Sequence, residues 1–414
     1  MAVIKPFKGI RPSPDKVHLV ASRPIDTYKP EELEAKLKEN PYTFLRIIKP
    51  DFGKKTRSKP GSIELLNKIK SNFISFIKEG IFIQDNQECL YIYSQEKNGR
   101  SHTGIIGCAS IDDYFNGVIK IHEQTITHKE ETLKKYLEIC DFNAEPVCLT
   151  YPADNQINEI INEIINNQPV YDFSTTNKNR HKLWLVNNPH KIQAIVDLFK
   201  RMPAIYIADG HHRSASSALL GRAKRQYYKD YSGQEPFNFF MSIYFAEDQV
   251  QILDFNRVVI DLNGLSQIDF LQKVSLNFKI EEIGTQIYKP NKLHNFSMYL
   301  GGKWYSLISP EGTFNKADST AILDASILSE NILGPVLGIN DLRTDKRIGF
   351  ISGALGLEEL KNQVDSGKMK VGFALFPVTM DQIKAVANEG KSMPPKSTWV
   401  EPKLRNGLTI YSLS

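Results

Sequence analysis

The sequence contains few cysteines, and none stands in a pattern that binds zinc or forms a redox pair. The four thiols, Cys89, Cys108, Cys140 and Cys148, are far apart in the chain. This spacing excludes a zinc ribbon and a thioredoxin-type motif, and the low density argues against a secreted disulfide framework. We therefore expect a reducing, cytoplasmic setting in which the cysteines mostly fill the core.

Long apolar runs are also missing, and charge of one sign does not dominate. No apolar stretch approaches the ~20 residues of a transmembrane helix, and the polar, proline-interrupted start argues against a signal peptide. The net charge is +5, from 52 basic and 47 acidic side chains. This balance disfavours a nucleic-acid partner, whereas a small anionic substrate suits a mild positive excess. The oligomeric state stays open.

Familiar nucleotide-binding and nucleophile motifs are absent from the sequence. There is no GxxxxGK[ST] loop, no GxGxxG after a strand, no HRD or DFG set and no GxSxG elbow. These motifs cover the common phosphate-binding and acyl-transfer folds. If this protein handles phosphate, it does so with a less common fold.

The composition, with 41% apolar and 24% charged residues among 414, is typical of a globular protein with two or three domains. Helical and strand-like segments are mixed without a regular βαβ series, which predicts an α+β (mixed α/β) fold. Changes of pattern suggest an N-terminal α/β domain over 1–118, a core over 119–246 and a C-terminal α/β domain over 247–414. Apolar spacing predicts helices at 31–40, 63–79, 120–141, 155–166, 190–201, 211–228, 322–337, 358–364 and 381–387. The first 30 residues look extended, and strands are predicted at 89–94, 104–110, 146–151, 182–186, 204–208, 237–245, 250–262 and 370–376.

The most informative segment is IADGHHR, in which an apolar strand runs through Asp209 and Gly210 into a helix. The residues His211, His212 and Arg213 then occupy the first helical turn. Cations there oppose the helix dipole at a cost of about 0.3–1 kcal/mol each, unless an anion is bound. Backbone amides, imidazole and guanidinium can converge on one phosphate at such a turn. Small residues at 214–218 allow a close approach of backbone or ligand.

Two other interpretations of this segment stay open. Asp209 can simply cap the helix, with both histidines on the surface. A metal site at His211 and His212 is weaker, because adjacent helical residues point about 100° apart.

A second segment, KIHEQT, places His122 and Glu123 at the predicted start of the helix over 120–141. It is not the zinc-protease pattern HExxH, since the next histidine, His128, comes too late. An acidic residue is favourable in a first turn, so Glu123 can be merely structural. A buried Glu123 near a cationic site would instead be a natural general base toward a hydroxyl.

The third segment, KSMPPKSTWVEPK, combines a proline-stiffened backbone with Lys396, Ser397, Thr398 and Lys403. Such a loop suits phosphate oxygens or a carboxylate. A lysine-rich loop near a C-terminus can equally be only solvated.

Four elements of the sequence, in order, resemble a large and mostly uncharacterised bacterial and protist family. They are KPFKGIRP at 5–12, HExT at 122–125, DGHHR at 209–213 and PPKST at 394–398. Three of them, HExT, DGHHR and PPKST, also resemble elements of the free L-serine kinases of the ParB/sulfiredoxin-like superfamily. The resemblance implies a ParB/sulfiredoxin-like core with N-terminal and C-terminal additions, and phosphoryl transfer to free L-serine that gives O-phosphoserine.

The resemblance also implies roles for individual residues. Glu123 would activate the serine hydroxyl, and Asp209 would be the acidic partner and a possible Mg²⁺ ligand. Phosphate or substrate contacts would come from His122, Gly210, His211, His212, Arg213, Lys396, Ser397 and Thr398. Second-rank basic candidates are Lys8, Arg11, Arg257, Arg347 and Lys403. Mg²⁺ is the expected cofactor.

The spacing departs from that of the shorter kinases, since about 85 residues separate Glu123 from Asp209. Longer relatives are similar to pyrophosphate-dependent serine kinases, which favours pyrophosphate over ADP or ATP as the donor. The alternatives are the reverse, phosphoserine-dephosphorylating reaction, a ParB-like nucleotide- or DNA-binding regulator, a nuclease and a sulfiredoxin-like redox enzyme. The last needs a reactive cysteine where this chain has histidines.

Overall fold

The structure, a computed structural model, describes residues 1–228 and 230–414. The chain forms two compact units. The first contains Met1–Ile121, Thr125–Val250 and Pro402–Ser414, and the second contains His122–Gln124 and Gln251–Glu401. The three-part division at 118 and 247 stays a prediction. No helix among the described residues is long and apolar enough to cross a membrane.

The strands of the described residues are, in chain order, β1 Ile4–Lys5, β2 Ile10–Pro12, β3 Phe82–Gln84, β4 Leu90–Lys97, β5 Arg100–Ser110, β6 Ile119–Lys120, β7 Phe142–Asn143, β8 Val147–Tyr151, β9 Tyr171–Ser174, β10 Arg180–Val186, β11 Ile205–Asp209, β12 Phe239–Ala246, β13 Gln251–Leu253, β14 Phe255–Val259, β15 Lys279–Gly284, β16 Asn295–Leu300, β17 Lys303–Ile308, β18 Ile348–Ser352, β19 Val371–Ala374, β20 Trp399–Glu401 and β21 Tyr411–Ser412.

The α-helices of the same residues are α1 Val17–Val20, α2 Pro30–Glu39, α3 Phe44–Ile48, α4 Ile63–Lys78, α5 Ile111–Phe115, α6 Thr127–Cys140, α7 Asn155–Ile165, α8 Pro189–Phe199, α9 His211–Tyr227, α10 Gln267–Val274, α11 Asp324–Leu328, α12 Gly356–Asp365 and α13 Met380–Asn388. A π-helical turn, Ser329–Leu333, follows α11 directly.

The first unit is built on a nine-stranded mixed sheet in the order β6-β11-β8-β12-β5-β4-β10-β9, with β1 also paired to β5. In helix α7, both the spacing of the apolar residues and the N-terminal cap favour a helix. Its isoleucines at 157, 161 and 164 recur at helical spacing and are buried, and the Asp154 side chain accepts a hydrogen bond from the Ile157 amide at 3.0 Å. These residues join the core on one face of the sheet, next to Leu149 and Ile207.

The second unit has an antiparallel sheet in the order β15-β17-β16-β19-β14-β18. Its core contains buried residues of the central strands, such as Phe296, Met298 and Phe373, together with Ile327 of α11. A separate ribbon pairs β13 with β20.

The predicted mixed α/β class is confirmed, as are the helices at 31–40, 63–79, 155–166, 190–201, 211–228, 358–364 and 381–387, within two residues at either end. The extended start is only partly correct, because α1 interrupts it. Four strands between residues 279 and 352 and strand β9 were not predicted. Strands β16 and β17 are buried on both faces, so they lack the alternating pattern by which a half-buried strand is recognised, whereas β15 is largely exposed and the short β9 does alternate.

Three predicted elements have wrong bounds. The helix over 120–141 begins only at Thr127, because Lys120 is held in β6 beside Tyr206. The strand over 250–262 is divided at Asp254, where the chain passes from β13 to β14. The helix over 322–337 is interrupted by the π turn and by Pro335, which has no N–H to continue it.

Candidate functional site

In the first unit, a tight turn joins β11 to α9. A bulge between Ile207 and Asp209 lets β11 end with Asp209 opposite Cys148 of β8. Gly210 follows at φ +103°, a conformation that side chains disfavour, and α9 begins at the next residue. A Cβ atom on Gly210 would lie 3.0 Å from the guanidinium carbon of Arg213. Glycine is therefore favoured at position 210 both by the positive φ and by the close approach of the Arg213 guanidinium.

The Asp209 carboxylate lies between two cations. Lys403 Nζ donates to Oδ1 at 2.8 Å, and Arg213 Nη2 donates to Oδ2 at 2.6 Å. Burial alone would raise the pKa of Asp209, but Lys403 and Arg213 outweigh it and lower the pKa to about 2. Asp209 is therefore ionised near neutral pH, so it can hold charge or orient a neighbour but has no proton to donate there.

Arg213 is tied to more of the protein than the sequence suggested. Besides Asp209, its Nη1 donates to the Pro146 carbonyl at 2.5 Å and lies 3.1 Å from Glu145 Oε1. Burial lowers the pKa of Arg213, but Glu145 and Asp209 raise it more, so the guanidinium stays charged. In this arrangement Arg213 positions Asp209 against the start of β8. Its predicted contact with donor phosphates stays a prediction.

The first turn of α9 carries His211, which is buried, and His212, which is half-buried. No side chain of the described residues caps this turn, since its N-cap is Gly210. The small residues that follow have a structural use. Ser214 Oγ donates to the His211 carbonyl at 3.0 Å, and Ser216 Oγ lies 3.0 Å from the Glu130 carbonyl of α6. They allow α6 and α9 to approach closely.

The surroundings of Asp209 do not fit a bound metal ion as they stand. Both carboxylate oxygens already accept hydrogen bonds from cations, and Mg²⁺ requires oxygen ligands. Within residues 1–228 and 230–414, no group of three or more His, Cys, Asp or Glu side chains could hold a metal.

In the second unit, His122, Glu123 and Gln124 of the HExT segment lie in irregular backbone, not at a helix start as expected. The Met393 amide donates to the His122 carbonyl at 2.8 Å, and Arg343 Nη2 donates to Gln124 Oε1 at 3.1 Å. His122 is buried and Glu123 is half-buried. The favourable helix-dipole effect expected for Glu123 therefore does not apply.

The PPKST loop leads into β20 of the same unit, and the Met393 hydrogen bond places its beginning beside HExT. Ser397 is buried and donates to the Pro394 carbonyl at 2.7 Å, which closes a turn. Lys396 is exposed, has a positive φ of +58°, and its Nζ lies 5.5 Å from the Phe255 ring centroid. Thr398 is half-buried. Two predicted elements far apart in sequence are thus neighbours.

The five second-rank basic residues have different environments. Arg11 is buried in an ion pair with Asp85 at 2.8 Å and bonds to Tyr171, which is a structural network. Arg347 donates to the carbonyls of Leu337 and Gly338 at 2.9 and 3.0 Å and braces its own loop. Lys8 is exposed, Lys403 binds Asp209, and Arg257 is wholly buried on β14.

Sequence reasoning did not single out Glu145, and it placed Lys403 in the second rank, although both contact the residues of the turn. Both contact the turn only across the fold, from Glu145 just before β8 and from Lys403 at the end of the KSMPPKSTWVEPK segment. The signal that could have found them is charge, because the half-buried Asp209 and Arg213 each need a partner of opposite sign. In the structure, Glu145, Arg213, Asp209 and Lys403 form a row of alternating charges.

The chain belongs to the family described as "Protein of unknown function (DUF1015)", whose model matches residues 4–326. No curated protein matches the sequence.

Among solved structures, the chain is similar to a C-terminally truncated SbnI from Staphylococcus aureus, with 13% identity, a TM-score of 0.38, and coverage of 72% of this chain and 82% of that one. A free serine kinase variant in complex with AMP gives 11% identity, a TM-score of 0.37, and coverage of 75% and 91%. A conserved hypothetical protein from Pyrococcus furiosus has 13% identity and a TM-score of 0.35, and the match covers 75% of this chain and 95% of that one. Scores this low do not establish a shared fold, so the ParB/sulfiredoxin-like core stays a prediction.

Proposed function

We propose that this protein is a phosphotransferase that transfers a phosphoryl group from pyrophosphate, or from ADP or ATP, to the hydroxyl of free L-serine. The observation that carries the proposal is the β11–α9 turn. An uncapped helix start follows a glycine with positive φ, beside a carboxylate fixed in its ionised form. Such a turn suits phosphate oxygens, and the DGHHR resemblance supports the same use.

The donor phosphates would be bound by the amides of the first turn of α9, with His211 and His212 as further donors. Asp209 would orient Lys403 and Arg213, whose remaining N–H groups would donate to the phosphate oxygens of the donor. A phosphoryl transfer of this kind depends mainly on positioning and on neutralising charge, which these groups provide.

Glu123 would accept the proton of the serine hydroxyl while the oxygen forms its bond to phosphorus and the bond to the leaving phosphate breaks. General-base catalysis of this kind contributes on the order of 10²–10⁴-fold. The half-buried position of Glu123 beside the PPKST loop supports this assignment. The reverse reaction would use the same groups.

Mg²⁺ usually reaches such enzymes on the phosphates of the donor, with few protein ligands. We propose a Mg²⁺ requirement on this basis. No step is assigned to an Asp209–metal bond, because both oxygens of Asp209 are occupied by Lys403 and Arg213.

The test is the formation of O-phosphoserine by wild type, Glu123→Gln and Glu131→Gln in the presence of Mg²⁺ and each donor in turn. Glu131 is an exposed acid on α6 and serves as the matched control. We expect Glu123→Gln to fold normally and to lose at least ~100-fold in kcat, and Glu131→Gln to match wild type. Full activity of Glu123→Gln would exclude Glu123 as the base.

A second variant, Arg213→Ala, tests the donor side of the proposal. We expect the KM of the donor to rise more than that of L-serine, because Arg213 fixes the geometry of Asp209 and Lys403. An equal rise of both constants would show that this turn is not specific to the donor.

A further inference from the structure

Arg257 is a charged side chain buried without a counter-charge. Its residue exposure is 0%, and it lies on strand β14, next to the edge strand of the sheet, opposite Phe350 of β18 and Phe373 of β19. Among the described residues, no carboxylate forms an ion pair with it, and desolvation is the single influence that lowers its pKa, to about 10. An unpaired buried charge is costly, so proteins rarely retain one without a use.

The hydrogen bonds of Arg257 leave much of its capacity unused. Nη1 donates to the Phe255 carbonyl, and Nη2 is 3.5 Å from the Pro395 carbonyl, which is longer than an ordinary N–H···O hydrogen bond. Nε is buried and has no partner in the described structure. A guanidinium has five N–H donors in a planar fork that matches a carboxylate.

The weak contact comes from the PPKST loop. Pro395 precedes Lys396, whose positive φ is unusual for a residue with a side chain and marks a loop held in a strained form. Release of the Pro395 carbonyl would free Nη2 for another acceptor. Lys396 adds a second cation, because its Nζ lies near the ring of Phe255, which is on β14 together with Arg257. The Met393 amide of the same loop holds the HExT segment at His122.

We infer that Arg257 binds the α-carboxylate of the amino-acid acceptor. This inference rests on the proposed function and deepens it, since it defines the acceptor as a hydroxy amino acid with a free carboxylate. The HExT segment and Arg257 both contact the same short loop, and on this basis we place the acceptor hydroxyl at Glu123 and its carboxylate at Arg257.

The experiment compares wild type, Arg257→Met, Arg257→Lys and Lys303→Met. Lys303 is an exposed lysine of the same unit, paired with Glu282 at 2.7 Å, and is the matched control. KM is measured for L-serine, for L-serinamide, which lacks the carboxylate charge, and for the donor. Thermal unfolding of each variant is followed in parallel.

We expect Arg257→Met to raise the KM of L-serine by about 10- to 100-fold, the loss expected for a charged hydrogen bond. The KM values of L-serinamide and the donor should not change, and Arg257→Lys should recover part of the loss. Because Met removes an unpaired buried charge, the melting temperature should stay equal or rise. Lys303→Met should match wild type throughout.

Three results would overturn the inference. They are a rise in the KM of the donor instead of L-serine, an unchanged KM for L-serine, and a marked fall in melting temperature, which would indicate a structural role. If wild type forms no O-phosphoserine, the proposed function fails, and the inference is judged separately by calorimetric titration with L-serine. Binding that is lost in Arg257→Met would support it, whereas equal binding or none by wild type would reject it.

Discussion

Replacing Gly210 by alanine tests how the β11–α9 turn is built. Alanine at φ +103° has an unfavourable backbone conformation, at a cost of about 1–2 kcal/mol. The new methyl group would also lie 3.0 Å from Cζ and Nη2 of Arg213, so the guanidinium must shift by a few tenths of an ångström.

The second cost follows from the weakened ion pair between Arg213 and Asp209. A charge-assisted hydrogen bond is worth about 1.5–3 kcal/mol, but Asp209 is 37% exposed, so solvent screening reduces this to about 1 kcal/mol. The total loss is therefore about 2–3 kcal/mol. With Arg213 displaced, the pKa of Asp209 should rise above its value of about 2.

The free energy of unfolding from urea denaturation measures this loss. Gly117→Ala is the control, because Gly117 also has a positive φ, +71°, but a Cβ there meets nothing within 4 Å. We expect Gly210→Ala to lose about 1 kcal/mol more than Gly117→Ala and to lose kinase activity, whereas Gly117→Ala keeps it. Equal losses of stability would refute the proposed contact between this position and Arg213.

Other predictions concern buried groups of the first unit. Burial raises the pKa of Asp113 to about 6, so the contribution of Asp113 to stability falls as the pH rises from about 4 to 6. The free energy of unfolding of Asp113→Asn should therefore exceed that of wild type by about 1–3 kcal/mol at pH 8 and equal it at pH 4. Urea denaturation at both pH values measures the difference. The hydrogen bond that Asp113 accepts from the Val3 amide, 2.7 Å, can be kept by the asparagine carbonyl. Ser216→Val should destabilise by about 1–3 kcal/mol in the same assay, because it overfills the α6–α9 contact. Cys148, whose pKa burial raises to about 12, should resist iodoacetamide until the protein is unfolded, and labelling of the native protein would contradict this.

Local patterns predicted the helices well, because α4 and α7 bury apolar side chains at helical spacing and have Ser62 and Asp154 as caps. They failed where tertiary pairing decides the backbone. Lys120 is drawn into β6 by its neighbour β11, so the HExT segment is not the first turn of a helix.

The candidate site shows the same limit. The motif residues Asp209 and Gly210 could be found from their order after an apolar strand, but their partners could not. Lys403 reaches Asp209 over 194 positions of the sequence, and Arg257 is recognisable as unusual only when its burial and missing counter-charge are known. Neither fact has a local signature.

The central claim is that this protein phosphorylates a free amino acid. The most direct measurement is O-phosphoserine production from L-serine and Mg²⁺ with pyrophosphate, ADP or ATP supplied separately. We expect product with pyrophosphate, and product with ADP or ATP alone would correct the donor but keep the reaction. No O-phosphoserine with any donor, from protein whose thermal unfolding is cooperative, would contradict the account.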